Sequence, residues 1–185
     1  MKQNISLGII LRFSDKIGVK KYNTIEEHNK IIKKYSECLY GKFGRDLGKN
    51  NAYLVNDSQE MDKIILVQRN GKKYELYIAT IGRIQYYADK KLVPLYYPEG
   101  IKISCWIKVL SLFEKMHDDE FKGWRIRSSK NGIIETLQKS MAGFFVAENK
   151  ASYTETYKPK ANRVKMYEED SSILLEDFDM FDIYR

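Results

Sequence analysis

Residues 63–87 confine what this chain can fold into more tightly than any other stretch. The run KIILVQR (63–69) and the run KKYELYIATIGRIQYY (72–87) are both rich in β-branched and aromatic residues, and Asn70-Gly71 stands between them. Asn-Gly favours positive φ at two successive positions, the geometry of a type I′ turn, so the segment is predicted to be a long antiparallel hairpin. Gly82, inside the second run, predicts a bulge or sharp bend of the kind found at a barrel corner. An isolated hairpin is marginal in water, so the rest of the chain must extend a sheet around this one.

The flanking segments supply the strands. Residues 6–13 (SLGIILRF) read as a first strand, and 101–113 alternate, with Ile101, Ile103, Cys105, Ile107 and Val109 on one face. Trp124–Arg127 reads as a further strand, and 132–142 as a short helix leading into Phe144-Phe145-Val146. Thr24-Ile25-Glu26-Glu27 has the form of a capping box, followed by Ile25, His28, Ile31, Ile32 and Tyr35 on one helical face. That helix is expected to fade near Cys38, and the polar stretch 46–62 to be loop. The chain is thus expected to be α+β: a small curved mixed sheet or barrel with two or three flanking helices. Residues 1–150 form the predicted domain, and 151–185 an extension with an acidic-hydrophobic tail.

Composition narrows the class. Of 185 residues 43% are hydrophobic, enough for a real core, yet no stretch approaches the roughly 18–20 apolar residues of a membrane helix. The N-terminal apolar run is broken by Arg12 and lacks a small-residue cleavage site, so it reads as a strand and a cytoplasmic location is expected, without membrane association. Cys38 and Cys105 are expected to be reduced and buried. His28 and His117 have no ligand-spaced Cys or His near them, so neither a metal nor a cofactor is expected. The net charge of +7 splits into +10 over residues 1–150 and −3 over 151–185. A basic body favours polyanionic partners, although a chain rich in Lys, Ile, Asn and Tyr acquires a high pI from composition alone.

Three constellations are candidates for contact with DNA or RNA. Lys102, Ser104, Trp106 and Lys108 share the second face of the 101–113 strand, where an indole between ammoniums can stack a base beside phosphates; alternatively Trp106 covers a minor core. Tyr86, Tyr87, Tyr96 and Tyr97, with Trp124, Arg125 and Arg127 further on, form an aromatic-basic crowd suited to unstacked bases, or equally to a protein interface. Tyr40-Gly41-Lys42-Phe43-Gly44-Arg45 offers Tyr40, Lys42 and Arg45 around two glycines that would let a ligand approach the backbone. It is not a P-loop. No catalytic residue stands out: His28 lies on the apolar helical face, no GxSxG occurs, and His117-Asp118-Asp119-Glu120 could hold a divalent metal only as a cluster of turn carboxylates. In the tail, Phe178, Met180 and Phe181 lie among acids and are candidates for packing on a partner or on the chain's own body.

The order of IATIGRIQYY, PLYYPEGIKISCWIKVLSLF and KGWRIRSSKNGIIETLQKSMAGFF resembles the second half of the PUA-like superfamily, particularly its EVE-type domains. Separately, LGIILRFSD with TIEEHNKII and LYGKFG is similar to an N-terminal pattern of bacterial defence-locus proteins, which implies a bacterial defence or phage setting; the resemblance covers roughly residues 5–149. The PUA-like likeness implies a small β-barrel whose aromatic pocket receives a base, often a modified one, from DNA or RNA. Trp106 and Trp124 would then stand at the pocket, with Ser104 or Tyr86 as hydrogen-bonding groups. The expected function is a non-enzymatic nucleic-acid-binding module. An inhibitor or adaptor of a host defence protein or nucleoprotein (anti-CRISPR-like) is the alternative, and a metal-dependent nuclease using His117–Glu120 a further one. The sequence leaves the oligomeric state open.

Overall fold

The computed structural model describes residues 6–149, apart from 18–19, 99, 118–119 and 121. Its centre is an eight-stranded mixed sheet. Strands β1 (Leu7–Phe13), β4 (Cys38–Phe43), β5 (Met61–Asn70), β6 (Lys73–Gln85), β7 (Ile103–Val109), β9 (Trp124–Ile126) and β10 (Phe145–Asn149) run in the order β4-β7-β6-β5-β1-β10-β9, and β8 (Glu114–Lys115) adds to β6. The sheet does not close, so the barrel alternative gives way to an open sheet with β4 at one edge and β9 at the other. A small second ribbon pairs β2 (Lys16–Ile17) with β3 (Lys20–Lys21). Three α-helices flank the sheet among the described residues: α1 (Thr24–Tyr35), α2 (Lys49–Asn56) and α3 (Ile133–Lys139). No helix among these residues is long and apolar enough to cross a membrane.

β1 and β5 are parallel neighbours, pairing Ile9 with Ile64 and Ile10 with Ile65. Both faces of this centre are covered, which is why their sequences read as unbroken apolar runs and not as alternation. Ile9, Leu11, Ile64 and Leu66 enter a core with Ile32 of α1 and Val55 of α2. Ile10, Ile65 and Val67 enter a second core with Ile133 and Leu137 of α3. Burying each such side chain contributes roughly 1.5–3 kcal/mol. Two asparagine amides then fasten helices to strand backbone. Asn29 of α1 donates to the Phe113 carbonyl (3.1 Å) and accepts the Phe113 N–H (2.8 Å). Asn56 of α2 does the same for Ile84 (3.0 and 2.7 Å), just beyond the register shift at Gly82. Backbone groups of Phe113, outside any strand, and of Ile84, beyond the end of the β5–β6 pairing, are thereby satisfied.

Several local expectations change. The α1 N-cap is Asn23, not Thr24: its side-chain oxygen accepts the Glu26 N–H at 3.0 Å, and the Thr24 N–H goes instead to Asp15 Oδ1 at 2.9 Å. α1 stops at Tyr35, and Cys38–Phe43, which takes in most of the segment around Gly41 and Gly44, is strand β4. Residues 49–56 are helical inside a stretch expected to be loop. The hairpin turn is Gly71-Lys72, because Asn70 and Lys73 pair as the last rung; only Gly71 has positive φ (+61°), so the type I′ expectation fails by one residue. Cys38 and Cys105 are both free and buried, and burial pushes the Cys105 thiol up to about 11.

Candidate nucleic-acid interface

The C-terminal end of β1, the entry to α1, edge strand β4 and the loop between β6 and β7 meet around a cleft of about 450 Å³. Its walls include Arg12, Phe13, Tyr22, Phe43, Tyr96 and Tyr97, with Tyr40 at its base. The rings form a ladder. Tyr22 stacks on Tyr96 at 4.0 Å and 7°, Tyr96 on Tyr97 at 4.5 Å and 24°, and Tyr97 on Phe43 at 5.8 Å and 23°. Trp106 of β7 meets Tyr97 edge-on at 5.4 Å. Such offset and edge-to-face contacts are each worth about 0.5–1.5 kcal/mol beyond the area they bury.

Gly41 is what lets the ladder reach the sheet. A Cβ there would lie 2.9 Å from Trp106 Cζ3 and 3.0 Å from Tyr97 Cε1. The space above this glycine is therefore filled by the protein's own rings and not reserved for a ligand. Its N–H, on the edge of β4 away from β7, donates to the Tyr97 hydroxyl at 2.9 Å. Gly41→Ala should cost about 1–3 kcal/mol through overpacking. At about 2–4 °C per kcal/mol for a chain of this size, the thermal unfolding midpoint will show the loss; an unchanged midpoint would mean that the rings yield freely.

Arg12 donates to the carbonyls of Leu137 (2.5 Å), Ser140 (2.5 Å) and Ala142 (3.2 Å), and lies 5.7 Å from the centre of the Phe145 ring. Its partners among the described residues are thus carbonyls at and just beyond the C-terminal end of α3, which partly offset a cation, and a ring that packs on the second core. Burial pushes the phenols of Tyr40, Tyr96 and Tyr97 far above their ordinary range, so the ladder is neutral. Beneath it His28 is fully buried among Tyr40, Tyr96, Tyr97 and Phe113, with ring centres 5.2–6.2 Å away. Its Nδ1 lies 2.8 Å from the Thr24 carbonyl oxygen, Nε2 has no hydrogen-bond partner among the described residues, and burial drives its pKa down to about 4. A flat neutral guest could extend the stack of rings.

The sequence-predicted residues are distributed around this cleft rather than gathered in it. Tyr40 lies at its base. Lys42 is buried, donates to the Phe43 and Arg45 carbonyls and stands 5.6 Å from the centre of the Phe144 ring; burial lowers its pKa. Arg45 is exposed. On β7, Trp106 is half-buried behind the ladder, Ser104 donates to the Gly44 carbonyl, Lys108 pairs with Glu37 at 2.7 Å, and Lys102, just before the strand, is exposed. Tyr86 and Tyr87 are 64% and 67% exposed; the Tyr86 hydroxyl donates to Asp46 at 3.1 Å, and Tyr87 accepts from Arg83 at 3.5 Å. Trp124 sits in the second core, on the opposite face of the sheet from Tyr40, with its ring against Gly8. Its neighbour Arg125 forms a cross-strand ion pair with Glu148, and Arg127 is exposed. Asp118 and Asp119, on which the nuclease alternative turns, and Phe178, Met180 and Phe181 of the tail lie outside the described residues.

Nothing in the sequence singles out the cleft's other residues as site positions. Tyr96 and Tyr97 are legible as an aromatic pair, whereas Phe43 reads as part of a glycine-rich exit and Arg12 only as a break in an apolar strand. Tyr22 gives no local signal, because the β2–β3 ribbon that carries the chain to it is too short to show a pattern. No curated protein and no solved structure gives a match to this chain. The family model described as Pua-like, however, matches residues 9–142, a span that takes in every wall of the cleft. The chain belongs to the Pua-like family.

Proposed function

We propose that this is a nucleic-acid-binding module whose aromatic cleft receives a single unstacked base, and that it acts by binding and not by catalysis. Pua-like domains typically bind nucleic acid. The observation that carries the base-receiving role is the ladder of Tyr22, Tyr96, Tyr97 and Phe43. Aromatic cages also take methylated ammonium groups, but such a cage surrounds its guest with ring faces, whereas these rings stack on one another and offer the flat face of an end ring. The volume suits one nucleobase with room for a substituent. His28, the one histidine near the cleft among the described residues, is walled in by rings and is badly placed to exchange a proton with a bound molecule.

Tyr22→Ala is the test, because Tyr22 is an end ring of the ladder and both faces of Tyr96 are already covered. Loss of that stacking surface is expected to weaken binding of single-stranded DNA or RNA by about 1–3 kcal/mol, or roughly five- to 150-fold, in fluorescence anisotropy at low salt. The urea midpoint should be recorded alongside, since Tyr22 also stacks on Tyr96. Affinity equal to that of the parent protein, or no binding of either nucleic acid by the parent, would remove this function.

A further inference from the structure

We propose that the aromatic cleft is one end of a longer groove, whose other end holds the sugar–phosphate backbone of nucleotides flanking the captured base. The proposal rests on the base-receiving role of the cleft. A second cleft, also about 450 Å³, is lined by Ser14, Asp15, Lys21, Arg69, Asn70 and Glu75 among others. Ser14 belongs to the walls of both clefts, so the two adjoin at the end of β1. One is built of rings and the other of polar groups, the division of labour that a single strand demands of its binding surface.

The polar cleft contains two acids among its lining residues, each held in place by its partners. Asp15 accepts the Thr24 N–H through Oδ1 (2.9 Å) and the Gln68 amide through Oδ2 (2.7 Å), and so clamps β1 to α1 and β5. Glu75 is paired with Lys115 at 2.6 Å and accepts the Tyr77 hydroxyl at 3.3 Å. The bases of the cleft are not engaged in the same way. Lys21 is exposed and makes no ion pair among the described residues, and Arg69 donates to the Gly71 carbonyl of its own turn, at 3.0 Å. Lys72 and Lys73 lie beside it at the hairpin tip, both exposed. Lys21, Arg69, Lys72 and Lys73 outnumber Asp15, and Lys115 offsets Glu75, so this end of the groove attracts an anionic polymer. A base must leave its stack to enter the ladder, so the polymer is a single strand, whether DNA or RNA.

Binding of a mononucleotide and of a single-stranded trinucleotide, each as DNA and as RNA, should be compared across salt concentrations. The trinucleotide is expected to bind at least about tenfold more tightly at low salt. In the double variant Lys21→Gln, Arg69→Gln that gain should disappear and the log–log salt slope should fall by about 1.4, at roughly 0.7 for each phosphate no longer neutralised. Mononucleotide affinity should not change. Lys21→Gln alone, remote from the hairpin turn, should give half the slope change and guards against a disturbed Gly71 turn. A length-dependent gain that survives the double variant would overturn the groove while leaving the cleft's role intact. Failure of mononucleotide and trinucleotide alike would overturn both. An oligoglutamate peptide bound as tightly, with the same dependence on Lys21 and Arg69, would overturn the groove by making it an acidic-peptide site.

Discussion

Trp124→Ala should lower the unfolding free energy by about 3–5 kcal/mol, the range for removing a large buried aromatic. Trp124 is only 7% exposed and belongs to the core that also holds Ile10, Ile65, Ile126, Ile133 and Leu137. The cavity left behind lies between β9, β1 and α3, where Gly8 offers no side chain to fill it. Against the roughly 5–15 kcal/mol of a typical domain this is a large loss, and urea unfolding will show it directly. Nucleic-acid affinity measured well below the unfolding transition should stay near that of the parent. A loss under about 1 kcal/mol together with abolished binding would place the indole in a binding site and contradict its burial.

The second large effect is a pH dependence set by His28. Folding drops its pKa from the ordinary 6.5 to about 4, because burial penalises the imidazolium more than the Thr24 and Leu39 carbonyls favour it. Between those values the unfolded chain binds a proton that the folded chain refuses. This contribution to stability is therefore fully present above about pH 6.5 and is lost as pH falls toward 4, for a total of roughly 3 kcal/mol. The groups that face the ring are the phenols of Tyr40, Tyr96 and Tyr97, neutral throughout this range, and the charge that bears on it is Glu27 of the same helix. Acid acts on a folded chain through more than one group, so the decisive quantity is a difference. The urea-derived stability of the parent should fall by about 2 kcal/mol more than that of His28→Leu between about pH 7 and pH 5. Parallel pH profiles would refute the assignment.

How far the sequence reveals this molecule depends on how local each determinant is. The hairpin of 61–85, the alternation around Ile103–Val109 and the bulge at Gly82 all follow from neighbouring residues, and the structure contains them. The cap of α1 falls one residue before the expected one because Asn23 and Thr24 are both competent caps, and a distant acceptor, Asp15, takes the Thr24 N–H. Strand β4 is hidden in the sequence because Gly41 and Gly44 read as breakers; only pairing with β7 and the rings above Gly41 give that glycine its purpose. The cleft is the hardest feature to foresee. Its rings come from separate parts of the chain, and nothing near Arg12 or Tyr22 in sequence announces that they will meet Tyr96.

The Tyr97 hydroxyl that accepts the Gly41 N–H also bears on how this protein can be altered. Strand β4 is the edge of the sheet, and an edge with free N–H groups recruits strands from other molecules. Tyr97 therefore screens a sticky border while serving as a rung of the cleft. Replacing it to change what the cleft accepts would expose that border and invite aggregation, whereas Tyr22, stacked at the far end of the ladder, carries no such double duty. Changes of specificity, whether by evolution or by engineering, should accumulate at Tyr22 and the neighbouring wall before they reach Tyr97.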